Sequence, residues 1–353
     1  MNESNKDNRK IIKKSELRAS EEHKKLAAFI KNIHLQLRID CEKHGANEAW
    51  EIHTLQEEKL KNYAESMYQL ATQHWAIKPK EMDPISYCRI EWIKNQCKHY
   101  FTERGMKKFD EKEKHLMRNF VQELEDLESV QIKTIIEPKI CVLDVGSCYN
   151  PFRHDDLFSV TAIDIAPYSK DVIKCDFLNL KIDNQTVYSE DRGMLYEMQK
   201  ESFDAVIFSL FLEYIPCPKQ RFSCCEKAYQ LLKSKGILLI VTPDSKHAGA
   251  NTKIVNTSWK IILAQLGFMR ISYEKLQHVH CMAFRKCFYK ESALKCINWN
   301  KIPDDKELFF SSRIFIPQDF QNKKDQNIDY TEKTVKYSID EIISLFNELP
   351  SEL

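Results

Sequence analysis

The stretch Ile140-Cys141-Val142-Leu143-Asp144-Val145-Gly146-Ser147-Cys148-Tyr149-Asn150-Pro151 constrains this chain more than any other. A short apolar, β-branched run ending in a glycine turn reads as a buried parallel strand that stops where backbone must come close to something. A second apolar run, Val160 to Ile165, carries Asp164 about twenty residues beyond Asp144, the spacing at which a doubly wound α/β sheet sets an acid beside the first turn to accept ribose hydroxyls. Only Gly146 stands where a dinucleotide fingerprint has three glycines. The missing glycines argue against a pyrophosphate cradle and for a nucleoside-like ligand without phosphate.

S-adenosylmethionine is such a ligand, and the two runs resemble motifs I and II of class I methyltransferases. The strands that follow fit the same plan. Val172 to Phe177 reads as the third, with Asp176 where this fold meets an adenine amino group, although an acid there can equally cap a helix. Residues 181–201 read as a loop with a short helix around Met194 to Met198. Phe203 to Ser209 is apolar enough to be a central strand, and Ser209 to Pro216 would lie over the ligand at the switch point of the sheet. A helix after Pro218 should run through Cys224, Ala228, Leu231 and Leu232 to Gly236, before the strand Ile237 to Val241. A helix from Ser258 to Leu266, stopped by Gly267, then precedes a strand pair, Phe268 to Tyr273 and His280 to Phe284. That closing hairpin separates a methyltransferase sheet from an ordinary dinucleotide fold.

Ahead of the sheet, periodicity of 3 to 4 residues predicts helices. Leu26, Phe29, Ile30, Ile33 and Leu37 mark one face, and Leu60, Tyr63, Met67, Leu70 and His74 another. Asp83-Pro84 reads as an N-cap with Pro at the first helical position, opening a helix with Ile90, Ile93, Cys97 and Phe101 buried and Gly105 as its stop. Leu116, Met117, Phe120, Val121, Leu124 and Leu127 mark one more. The expected organisation is a polar tail over 1–20, a helical domain over 21–135, a junction at Glu137-Pro138, a ligand-binding α/β domain over 138–290 and an extension over 291–353. In that extension Phe309 to Ile316 could be a strand and Asp340 to Phe346 a short amphipathic piece.

Composition narrows the classes. A net charge of +1 on 353 residues gives no overall pull toward nucleic acid, and the lysines from Lys107 to Lys114 read as a solvated face. Twelve cysteines without a CxxC pair read as reduced thiols of the cytosol or nucleus, and nothing is apolar for long enough to cross a membrane. His278, His280 and Cys281 lack a fourth ligand, and His280 and Cys281 point to opposite faces of a strand, so no metal is expected.

Asp144 to Phe152, Lys174-Cys175-Asp176-Phe177-Leu178-Asn179-Leu180, Thr242-Pro243-Asp244-Ser245, Met282-Ala283-Phe284-Arg285-Lys286 and Arg89-Ile90-Glu91-Trp92 together resemble the SAMTOR family over roughly residues 50–290. These are S-adenosylmethionine sensors upstream of mTOR complex 1, related to a fungal ribosomal-RNA adenine methyltransferase. The resemblance implies a cytoplasmic protein that binds S-adenosylmethionine, with S-adenosylhomocysteine as competitor. Unliganded, it would associate with the GATOR and KICSTOR complexes and restrain mTOR complex 1, recruited through them to the lysosomal surface. The alternative is an active methyltransferase acting on an adenine of RNA. The amino-methyltransferase tetrapeptide of Asn or Asp, two prolines and an aromatic is absent, and Ser209-Leu210-Phe211-Leu212 occupies its place. The candidate ligand contacts are Gly146 and Tyr149 in the first turn, Asp164 and Ile165 at the second tip, Asp176 and Phe177 at the third, and Ser209, Leu210 and Phe211 at the fourth. Arg89 and Trp92 share a helix face that could clamp the helical domain onto the ligand, guanidinium toward the methionine carboxylate and indole toward the sulfonium or adenine.

Overall fold

A computed structural model describes residues 20–74, 88–121, 139–191, 193–245, 251–276, 278–297 and 312–320. The chain divides between Pro84 and Ile85 into two compact units. The first contains α1 (Glu21–His44), α2 (Ala46–Thr54) and α3 (Glu57–Gln69), the last running into a π-helical turn at Leu70–His74. Ser20 caps α1 by accepting from His23 N at 3.1 Å, and Glu21 and Glu22 complement the helix N-terminus. Of the predicted stripe, Ile30, Ile33 and Leu37 are buried and Leu26 and Phe29 half-buried; Leu60 and Leu70 are buried as well, and α2 adds Trp50.

The second unit is built on a seven-stranded sheet. Its strands are β1 (Ile140–Val145), β2 (Phe158–Asp164), β3 (Ile173–Lys174), β7 (Phe203–Ser209), β8 (Leu232–Pro243), β9 (Phe268–Leu276) and β10 (Val279–Lys286), in the order β3-β2-β1-β7-β8-β10-β9. All neighbours pair in parallel except β10, which runs antiparallel between β8 and β9. The order reverses between β1 and β7, so the carboxyl ends of β1, β2, β3 and β7 share one edge beside a switch point. On one face α4 (Arg89–Thr102) lays Trp92, Ile93, Cys97 and Tyr100 against Val142, Ile207, Leu239, Val241 and Ala283, all buried in one core cluster. Helix α5 (Gly105–Val121) is tied to β10 by Glu113, which accepts from wholly buried Arg285 at 3.1 and 2.7 Å. Helices α6 (Pro218–Leu231), α7 (Trp259–Leu266) and α8 (Lys290–Cys296) complete the unit.

Several expectations change. The helices bearing Arg89 and Met117 pack with the sheet in the second unit, while the predicted junction at Glu137-Pro138 and the cap at Asp83-Pro84 lie outside the described residues, as does Asp340 to Phe346. Gly105 opens a helix instead of stopping one. A Cβ there would lie 2.7 Å from Tyr100 Cα, so its role is the close approach of α4 and α5. The described residues of 181–201 hold no helix. They form a second sheet of β4 (Lys181–Asp183), β5 (Val187–Ser189) and β6 (Met194–Gln199), ordered β4-β6-β5. Leu195 bridges Cys175 beside β3, and Lys181 pairs with Glu197 at 3.0 Å, so strand pairing overrides the helix preference of Met and Glu. The third strand keeps only two of its six predicted residues. Helix α6 ends at Leu231, and Gly236 lies within β8, where a Cβ would strike Asp204 O at 2.8 Å. Residues 312–316 are irregular, not strand, whereas Gly267 stops α7 as predicted, and does so in the left-handed conformation, φ +101°.

Candidate functional site

The first turn is pulled onto β2 by two bonds to one carbonyl, Gly146 N and Ser147 N donating to Ile163 O at 2.9 and 3.0 Å. Gly146, Cys148 and Asn150 all have positive φ, +74°, +57° and +52°. Glycine is required at the first, since a Cβ there would lie 3.2 Å from Phe211 Cδ2 as well as in a strained backbone. Beneath the turn, buried Asp144 accepts Ser147 Oγ at 2.6 Å. Burial pushes its carboxyl up to about 6, opposed by Ser147 and by the Arg89 cation. Asp164 is likewise pushed up to about 6 by desolvation, against hydrogen bonds from the backbone N–H groups of Ala166, Cys148 and Ile165. A carboxylate has about four lone-pair sites, so Asp164 retains capacity for one more donor.

Arg89 opens α4 and donates from Nε to Ser209 Oγ at 3.3 Å. Its charge acts on both Asp144 and Tyr149, so a cation stands over the tips of β1 and β7. Phe177 packs edge-on to Phe208 and Phe211 at 5.7 and 5.8 Å, an apolar surface beside the first turn. Leu210, a non-glycine residue at φ +61°, is held there by its N donating to Val241 O at 2.9 Å; backbone held in this region tends to gather at functional sites.

Two candidate residues are placed differently from expectation. Trp92 is closed to solvent, and its Nε1 donates to Glu274 Oε2 at 3.0 Å. It braces the sheet from the core, with its indole among the buried residues of that cluster. Since α4 is part of the sheet's own unit, the clamp by a separate helical domain falls with it. Asp176 spends its carboxylate on its own turn, accepting Leu178 N at 3.1 Å and Asn179 Nδ2 at 2.8 Å, which is a capping role. Ile165 follows Asp164 and is half-buried.

Tyr214 lies in the stretch Ser209 to Pro216 expected over the ligand, but the sequence does not single it out as a contact. It is buried, and its phenol is pushed up by desolvation and by the charges of Asp164 and Asp176, so it stands among the acids of two strand tips. The buried Glu213 accepts a hydrogen bond from Thr242 Oγ1, joining this segment to the end of β8. Neither residue has a local pattern to reveal it. Of the expected non-ligands, His280 contacts Tyr273 Oη through Nδ1 at 2.8 Å and Asp244 Oδ1 through Nε2 at 3.2 Å, and Cys281 is buried on the opposite face with α4.

The arrangement fits a nucleoside bearing a carboxylate: an acid for hydroxyls, a cation for the carboxylate and an aromatic surface for the ring. Strand order, the antiparallel β10 and this edge define a class I S-adenosylmethionine-dependent methyltransferase fold. The family described as 25S rRNA (adenine(2142)-N(1))-methyltransferase, Bmt2, matches residues 65–311. An "S-adenosylmethionine sensor upstream of mTORC1" from Danio rerio is 34% identical over 351 residues, 94% of this chain and 85% of that protein. The protein of the same name from Xenopus tropicalis is 38% identical over 322 residues, 85% of this chain and 76% of that one. The chain belongs to this family of S-adenosylmethionine sensors and Bmt2-type methyltransferases. A solved N-methyltransferase, NodS from Bradyrhizobium japonicum with S-adenosyl-L-homocysteine, is 13% identical with a TM-score of 0.29, covering 50% of this chain and 86% of that one.

Proposed function

We propose that the protein binds S-adenosylmethionine at the edge formed by β1, β2, β3 and β7 and reports its availability to mTOR complex 1. The observation that carries the ligand is the pairing of Asp164, with acceptor capacity left after three backbone bonds, and the Arg89 cation over Ser209. Asp164 takes the ribose hydroxyls, Arg89 the methionine carboxylate, and Phe177 and Phe211 line the adenine, with Gly146, Tyr149, Ile165, Ser209 and Leu210 completing the contacts. The sensor reading is supported by the relatives' identity over most of the chain and by Ser209-Leu210-Phe211-Leu212 at the tip of β7. In this reading the unliganded protein associates with the GATOR and KICSTOR complexes, at the lysosomal surface through them and otherwise in the cytoplasm.

Calorimetric titration with S-adenosylmethionine and S-adenosylhomocysteine tests the site. Arg89→Ala should weaken S-adenosylmethionine about ten- to a hundredfold, and wild-type affinity in a folded variant would remove Arg89 from it. The second reading, methyl transfer to an RNA adenine, is favoured by the match to the rRNA methyltransferase family. Incubating pure protein with methyl-labelled S-adenosylmethionine and RNA separates the two: incorporated label supports the enzyme, and its absence together with ligand-driven release from the GATOR and KICSTOR complexes supports the sensor.

A further inference from the structure

Arg221, in the first turn of α6, is wholly buried. A guanidinium carries five N–H donors and no acceptor, and here five bonds engage it. Nε donates to Ile215 O at 2.8 Å, Nη1 to Ile314 O at 3.1 Å and Asp319 Oδ2 at 2.6 Å, and Nη2 to Pro216 O and Asp319 Oδ1, each at 2.9 Å. Asp319 also accepts Ile316 N at 2.9 Å. Segment 312–320, with Ile314, Ile316 and Phe320 buried, is held further by Ile314 N donating to Pro218 O at 3.0 Å and Trp259 Nε1 to Phe315 O at 2.7 Å. Two desolvated ions are a costly way to fasten a segment to a surface, and the pair keeps its geometry or loses it as a unit.

What the pair fastens matters more than how firmly. Ile215 and Pro216 end the stretch in which Phe211 lies on Gly146, Tyr214 stands by Asp164 and Asp176, and Tyr214 N donates to Phe211 O at 3.1 Å. We infer that Arg221 and Asp319 are positioning residues that couple the ligand-facing stretch 209–216 to the strap 312–320. Ligand then stabilises the docked strap, and by reciprocity the docked strap raises ligand affinity. The strap is thereby a surface whose exposure follows ligand occupancy. This inference rests on the ligand reading above.

Hydrogen exchange of the full chain, with and without S-adenosylmethionine, tests it in wild type, Arg221→Lys and Asp319→Asn. Glu113→Gln is the control, since its pair with Arg285 is also buried but lies at the opposite end of the strands, Arg285 of β10 standing antiparallel to Ile237 near the amino-terminal part of β8. In wild type the ligand should slow exchange in 209–216 and 312–320 together. Asp319→Asn, which keeps the side chain's shape, should weaken the ligand about five- to twentyfold and abolish ligand-dependent protection of 312–320. Glu113→Gln should lower the melting temperature and leave both readouts as in wild type. If Arg221→Lys does not fold, Asp319→Asn decides. Protection of 209–216 without 312–320, or wild-type affinity in Asp319→Asn, overturns the coupling alone. No binding by wild type overturns the ligand reading and the coupling with it.

Discussion

Asp144 and Asp164 set the pH behaviour of the site. Both carboxyls are pushed by burial to about 6 from an ordinary 3.8. Between those values the native state holds protons that the unfolded chain has released, so stability falls as pH rises through that window and levels off above it. Asp164→Asn should abolish this pH dependence, yet it sets an amide NH2 against the backbone N–H of either Cys148 or Ala166, so it should destabilise the ligand-free protein by about 1 to 3 kcal/mol. A ribose hydroxyl donating into Asp164 favours the ionised form, so S-adenosylmethionine affinity should fall as pH drops below about 6. Binding at that pH should release up to about half a proton per ligand, read by calorimetry in buffers of different ionisation heat. No proton release would remove Asp164 from the ligand. At this scale the sequence was legible where contacts are local: Asp144, Gly146 and Asp164 are announced by strand-and-turn pattern. Trp92 was misassigned because helical spacing says which residues share a face but not what that face meets. Arg221 was invisible because its partner Asp319 is 98 residues away.

Among the elements, strand pairing decided what local preference left open. Met194 to Met198 contains residues that favour helix, yet the unpaired side of β3 recruits it as a strand through Leu195 and Cys175. The parallel core needed no such help, because β1 and β7 are apolar on both faces and have no helical alternative of that length. The helical pair α4 and α5 was recognised as helix but assigned to the wrong unit, since nothing in their periodicity distinguishes a bundle neighbour from a sheet. Gly105 is where that packing is most exposed to test. Adding a methyl 2.7 Å from Tyr100 Cα forces the helices apart, and Gly105→Ala should destabilise by about 1 to 3 kcal/mol in urea unfolding. Its ligand affinity should stay at the wild-type value, because the glycine is remote in the fold from the strand tips.

Across the whole molecule, all twelve cysteines are free thiols, and Cys97, Cys148, Cys175, Cys224, Cys225, Cys281 and Cys287 are buried. Burial raises the pKa of each of these seven, which disfavours the reactive thiolate. Labelling the native protein with a thiol reagent should modify no more than the other five rapidly, and denaturant should release all twelve. Rapid native reaction of the seven would mean that the core opens readily. The long reach of the contacts around the site has a consequence for a chain being made on the ribosome. Arg89 meets Ser209 across 120 residues, Trp92 meets Glu274 across 182, and the stretch beside the ligand is fastened from Asp319. At about 5 to 20 residues per second the interval from Tyr149 to Asp319 takes on the order of ten to thirty seconds. During that time the growing chain has the first turn but lacks the contacts that fasten 209–216, so the proposed ligand edge is complete only once Asp319 has been made.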